Sequence, residues 1–146
     1  MTDQEYTQFA NKWKPLFWVA FVYNLTAAIG PLAMPKFFTT MFFVTSPSNL
    51  SVVSLLHIQM AWVCVLSFGF GYAIVALNPC YNRGIVFLGL VGKVYVGILF
   101  GYFWLNGQVK LAAFLGGVGD ILFAALFLLF LYKSRSQAKV IRPLLL

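Results

Sequence analysis

The sequence predicts an all-α integral membrane protein: a four-helix transmembrane bundle with a short interfacial helix between helices 1 and 2. Three observations predict it. Of the 146 residues, 62% are hydrophobic and only 9% charged, with mean hydropathy +0.88, whereas a soluble domain carries roughly 25% charged residues. Too few polar side chains remain to cover a water-facing surface. Four stretches reach the ~20 apolar residues that a helix needs to cross a ~30 Å hydrocarbon core. These stretches are continuously apolar, without the alternation of a membrane β-barrel. No linker, low-complexity run or repeat divides residues 1–146, so a single domain is expected.

The first span is placed at Pro15–Met34. Before it, MTDQEYTQFANKWK is long and contains Asp3 and Glu5, so it reads as a polar tail and not as a secretory signal. Gly30-Pro31 and Pro35 predict a kink or an early stop at the far end of this span. Pro35–Phe43 is too apolar for a free loop and too short to span. Its residues Phe37, Phe38, Met41 and Phe42 recur at helical spacing, which predicts a short helix lying in the interface. Ser46-Pro47-Ser48-Asn49 supplies a turn and a cap for the next helix.

The second span covers Val52–Leu77, the third Gly84–Leu105 and the fourth Leu111–Tyr132. The tight turn Asn106-Gly107-Gln108 makes the last two antiparallel neighbours. The short loop Asn78–Arg83 is expected to pair the second and third in the same way. Trp13, Trp18, Trp104 and Tyr132 fit interfacial aromatic belts, while the deeper Trp62 reads as a packing residue.

Charge predicts the topology. Lys12, Lys14, Arg83, Lys133, Arg135, Lys139 and Arg142 fall on one side, Lys36 and Lys110 on the other. The positive-inside rule then puts both termini in the cytoplasm. The net charge of +7 predicts attraction to anionic lipid headgroups at that face. With no basic motif or soluble domain, nucleic acid is not an expected partner. Cys64 and Cys80 form no CxxC, so neither a redox motif nor a metal knuckle is indicated.

Function is carried by polar residues inside the spans. Lys93 and Asp120 stand in apolar helices, where an ionisable group costs about 2.5–3.5 kcal/mol on insertion scales. Lys93 precedes Gly107 by 14 residues and Asp120 follows it by 13, so at ~1.5 Å per residue both sit about 20 Å from the turn. Asn24 falls near the middle of the first span. His57 lies shallower, near the outer end of the second. A cluster of Asn24, Lys93 and Asp120 is therefore expected at the midplane, with His57 above it toward the outside.

Small residues flank these groups at four-residue spacing: Ala20-Asn24-Ala28, Gly89-Lys93-Gly97-Gly101 and Ala112-Gly116-Asp120-Ala124. Such spacing shares one helix face and allows close helix approach. Gly89, Gly97, Gly101, Gly116 and Ala124 are the expected packing residues. A lone histidine excludes a multi-histidine metal site, and no cofactor is expected.

Two functional readings follow. In the first, Asn24, His57, Lys93 and Asp120 bind or translocate a small polar ligand, anion or proton. In the second, the chain is an accessory subunit of a larger membrane complex and the Lys93–Asp120 pair is structural. A membrane enzyme is a weaker third reading, since no nucleophile–base pair or phosphate loop occurs. A homo-oligomer or a larger membrane complex is the expected assembly. The size and four-helix layout resemble those of small bacterial inner-membrane proteins such as the DoxX-like group. The likeness is of architecture, and it implies a bacterial inner membrane as the location.

Overall fold

The computed structural model describes residues 3–46 and 49–135. Five helices follow one another: α1 (Asp3–Ala33), α2 (Pro35–Phe42), α3 (Val52–Leu77), α4 (Arg83–Leu105) and α5 (Leu111–Lys133). Four of them, α1, α3, α4 and α5, are long and apolar enough to cross a membrane. Only 22–28% of each span's most apolar window is buried within the chain. The remaining apolar surface suits lipid, which leaves helices with self-satisfied backbones as the viable spanning form.

Helix α1 begins twelve residues before the expected span, at Asp3. The region read as a tail is helical because it has something to pack on. Ala10 and Trp13 are buried, and the Tyr6 hydroxyl donates to Asn78 Oδ1 at 2.8 Å in the α3–α4 loop. Trp13 is thus a core residue, 8% exposed, and not part of an interfacial belt. At the other end, α1 stops at Ala33. The ring of Pro35 disfavours the helical region for the preceding residue, and Met34 adopts φ −134°, ψ 63°.

Pro35 then starts α2, a position where its missing N–H costs nothing. The buried Thr39 donates its hydroxyl hydrogen to Pro35 O at 2.7 Å, and the Phe38 ring occupies the space over Gly30. Helix α2 packs on α1, α3 and α5. The chain after it is stitched to the α4–α5 turn, with Val44 N donating to Gln108 O at 3.0 Å and Lys110 N to Phe42 O at 2.7 Å. Lys110 Nζ adds a bond to Thr40 O at 2.7 Å. This closure of the far end of the bundle has no counterpart in the sequence pattern.

The α3 cap is Ser51, whose Oγ accepts from Ser54 N at 3.0 Å, and not the earlier Ser-Pro-Ser-Asn run. Pro47 and Ser48 of that run lie outside the described residues, as do Lys139 and Arg142 of the basic cluster. Between α4 and α5, Gly107 takes φ +67°, the left-handed conformation that favours glycine. Gln108 N reaches Phe103 O at 2.9 Å and Gly107 N reaches Trp104 O at 3.0 Å, a Schellman closure of α4.

The helices form two intimate pairs, α1 with α3 and α4 with α5. Helices α3 and α4 are not packed along their length as their short loop suggested. They touch near it, Gly71 against Ile85 and Tyr72 against Gly89. Side chains join the two pairs. Toward the end carrying the termini, Phe17 meets Phe130 edge-on with centroids 5.0 Å apart, and Trp13 meets Phe130 at 5.4 Å. Tyr72 crosses to Phe127 at 5.1 Å. Phe17, Phe127 and Phe130 are fully buried, and edge-to-face pairs of this kind add about 0.5–1.5 kcal/mol each beyond area burial.

Candidate functional site

Above this aromatic layer the four spanning helices meet at one polar cluster. Lys93 Nζ on α4 lies 2.6 Å from Asp120 Oδ1 on α5 and 3.2 Å from Asn24 Oδ1 on α1. Asn24 Nδ2 in turn donates to the Val65 carbonyl of α3 at 3.0 Å. Gly69 lets α1 approach closely at this point, since a Cβ there would stand 3.2 Å from Asn24 Cβ. One amide therefore ties α1 to α3 and α4, and the ion pair adds α5.

Aromatic rings complete the shell. Nζ of Lys93 stands 5.0 Å from the centroids of Tyr23 and Phe123 and 5.7 Å from that of Tyr72, within cation–π range. Tyr23 also donates to Gly116 O at 2.9 Å. Tyr72 fills the space that Gly89 leaves open, one turn before Lys93. These three aromatics were not singled out from the sequence. Phe123 is three residues from Asp120, and Tyr23 and Tyr72 are phenols deep within spans, so a signal existed in retrospect.

The two charges are unequally satisfied. Lys93 is buried, its side chain 6% exposed, with two hydrogen bonds and ring faces around it. The Asp120 side chain is 15% exposed. Among the described residues none donates to its Oδ2, and the one buried side-chain polar atom lacking a partner is Arg83 Nε. Oδ2 thus has no donor among the described residues, and the carboxylate is the less enclosed member of the pair.

His57 stands apart from this cluster. It is exposed, and its Nδ1 lies 2.8 Å from Val53 O of its own helix. Twelve residues separate it from Gly69, about a third of a turn around α3 and ~18 Å along it. The structure therefore does not bring it over the polar site.

The glycines divide. Gly97 packs beneath Ile121 and close to Gly117 O, Gly89 lies beneath Tyr72, and Ala124 is buried. Gly101 and Gly116 meet no atom of another element where a Cβ would stand. On α5 the packing face is Ala113, Gly117, Ala124 and Phe127. A strict four-residue step drifts 40° per repeat from the 3.6-residue helix. That drift put the expected Ala112-Gly116 face one residue out of phase.

A second polar group sits at the end carrying the termini. Arg83 donates through a terminal nitrogen to Leu131 O at 3.1 Å, near the C-terminal end of α5 where a cation complements the helix dipole. Cys80 is buried beside it, and burial pushes its thiol up from the ordinary value, with the Arg83 charge pulling less strongly the other way. No group of three or more His, Cys, Asp or Glu among the described residues is placed to hold a metal ion.

Compared with known proteins, the chain matches no protein family, no curated protein and no solved structure. The molecule is thus characterised by its own geometry: a multi-pass helical protein of membrane type with an internal Lys–Asp–Asn cluster.

Proposed function

We propose that the Lys93–Asp120 pair is the working centre of this membrane protein and that it takes up and releases a proton. The observation that carries this reading is the asymmetry of the pair. Lys93 is enclosed by two hydrogen bonds and three rings, whereas the more exposed Asp120 has an oxygen, Oδ2, that no described residue donates to. Protonation at Oδ2 turns the carboxylate into a neutral acid and removes the counter-charge of Lys93. The ammonium then rests on Asn24 Oδ1 and the three rings until a proton leaves and the pair re-forms. The energetics support a role beyond packing, because apolar replacements of a buried pair are often neutral or stabilising. Intramembrane ionisable residues are typical of proton relays.

The test uses protein reconstituted in liposomes with a trapped pH-sensitive dye and an imposed potassium-diffusion potential. Proton flux above that of protein-free vesicles, lost in Asp120→Asn, is the expected result. Equal flux in wild type and Asp120→Asn contradicts it.

A second reading is favoured by the closed shell of Lys93. A cation satisfied wholly within its own fold is what a structural clasp requires, as in an accessory subunit of a larger membrane complex. In that reading the vesicles show no protein-dependent flux even with wild type, while the cost of Asp120→Asn to the fold is the same in both readings.

A further inference from the structure

Resting on the proton-handling reading, the structure points to where the proton carrier arrives. The helices within each pair approach closely, whereas α1 and α5, which belong to different pairs, are joined by side chains along a seam. Toward the end carrying the termini the seal is thick: Trp13, Phe17, Phe127 and Phe130 interlock there and are buried. At the level of the ion pair it is thin. Tyr23 crosses the seam, its ring against Phe123 with centroids 5.1 Å apart and its hydroxyl on Gly116 O at 2.9 Å.

The surface that Tyr23 presents outward is apolar. With Trp18, Val19 and Val22 it lines a shallow open groove on the outer face of α1. Its inner face is 5.0 Å from Lys93 Nζ. The hydroxyl end sits in a notch on α5, where a Cβ at Gly119 would come within 2.7 Å of the Tyr23 oxygen. In an α-helix the Gly116 carbonyl is the acceptor for the amide of residue 120, so the turn covered by Tyr23 is the turn that carries Asp120. One side chain, held across the seam by one hydrogen bond, stands between a lipid-facing groove and the ammonium of Lys93, whose partner carboxylate lies on the turn that side chain covers.

We infer that Tyr23 is a lateral gate, and that the pair is reached from the bilayer by a membrane-dissolved amphiphile. Such a molecule has an apolar body that fits the Trp18–Val19–Val22 groove and a head that carries an exchangeable proton and donates to Asp120 Oδ2. Breaking the Tyr23–Gly116 bond and turning the ring about its Cα–Cβ bond opens the path without moving a helix.

Carbodiimides test this, because they add covalently to a protonated carboxyl and come in lipid-soluble and water-soluble forms. Protein in liposomes is treated with dicyclohexylcarbodiimide or with a water-soluble carbodiimide, and labelling is followed by mass spectrometry as the sum of two products of the activated Asp120 carboxyl: the retained carbodiimide adduct, and the Asp120–Lys93 amide formed when the neighbouring Lys93 Nζ displaces the urea. Asp120→Asn is the blank. Dicyclohexylcarbodiimide should label wild type, and the water-soluble reagent should not. Tyr23→Phe keeps the ring and removes the tether, and should speed labelling about fivefold, the opening expected from one lost hydrogen bond. Tyr23→Ala should label faster still, with size-exclusion profiles confirming that both variants remain folded. Equal labelling by the two reagents places access on the water side and overturns the inference. So does labelling by neither reagent, or a rate unchanged in Tyr23→Phe. The proton-flux assay stands independently: flux with unchanged Tyr23→Phe labelling sinks the gate alone, and absence of flux sinks the reading beneath it.

Discussion

Lys93 and Asp120 meet with Nζ 2.6 Å from Oδ1, although each belongs to a different helix and both are deep within apolar spans. The near-equal distances of the two residues from Gly107 make this meeting a consequence of the antiparallel α4–α5 hairpin. The pair is also the point at which Asn24 and, through it, the Val65 carbonyl are tied in. Its loss should therefore be felt by all four spanning helices.

Breaking the pair from one side leaves a buried charge without its partner. Lys93→Met and Asp120→Asn should each cost about 3–5 kcal/mol, the usual penalty for removing one member of a buried pair. Thermal unfolding in detergent, followed by circular dichroism, reads this as a lowered Tm. A Tm within experimental error of wild type for both variants would show that the pair is not energetically coupled to the fold.

Asn24→Leu removes an amide that both donates and accepts. Loss of the Val65 and Lys93 bonds should cost about 1–3 kcal/mol, chiefly because the Lys93 ammonium left behind is buried. Tm again measures it. A variant as stable as wild type would mean that α1 and α3 do not need this link.

The glycines should separate by position and not by motif. Gly97→Ala puts a methyl group beneath Ile121 and 3.1 Å from Gly117 O, and overpacking of this kind costs about 1–3 kcal/mol. Gly101→Ala and Gly116→Ala place theirs in open space and should stabilise by about 0.5–1 kcal/mol through helix propensity. The reverse order of Tm would refute the packing face assigned to α4 and α5.

Cys80 should be slow to alkylate. Its thiol is buried and raised above the ordinary value, so the reactive thiolate is scarce in the folded protein. Because the folded value is raised, the contribution is intact below about pH 8.5, where the unfolded thiol ionises. It is lost as pH rises through the folded value. Iodoacetamide labelling of a Cys64→Ala background at pH 8, native against SDS-unfolded, checks this. Equal rates in the two states would contradict the burial.

Much of this was legible in the sequence, and the failures have specific causes. Spans, turn chemistry and the level of Lys93 with Asp120 follow from length and rise per residue, which tertiary contacts scarcely alter. Rotation about the helix axis is less secure. The four-residue step that nominated Gly116 was out of phase with Gly117, and His57 was placed by depth alone while its azimuth turned it away. Trp13 looked interfacial because nothing in its neighbourhood announces Phe130, which is distant in sequence and packs on it. The Tyr23 cover and the stitching of Val44 and Lys110 to the chain across the far end are likewise long-range contacts. Hydrophobic periodicity does not encode them.

The most direct test of the central claim is the double variant Lys93→Met/Asp120→Leu, purified and reconstituted beside wild type. Removing both charges should restore most of the stability lost in the single variants while abolishing protein-dependent proton flux. A double variant that is stable and conducts protons as wild type does would contradict the account.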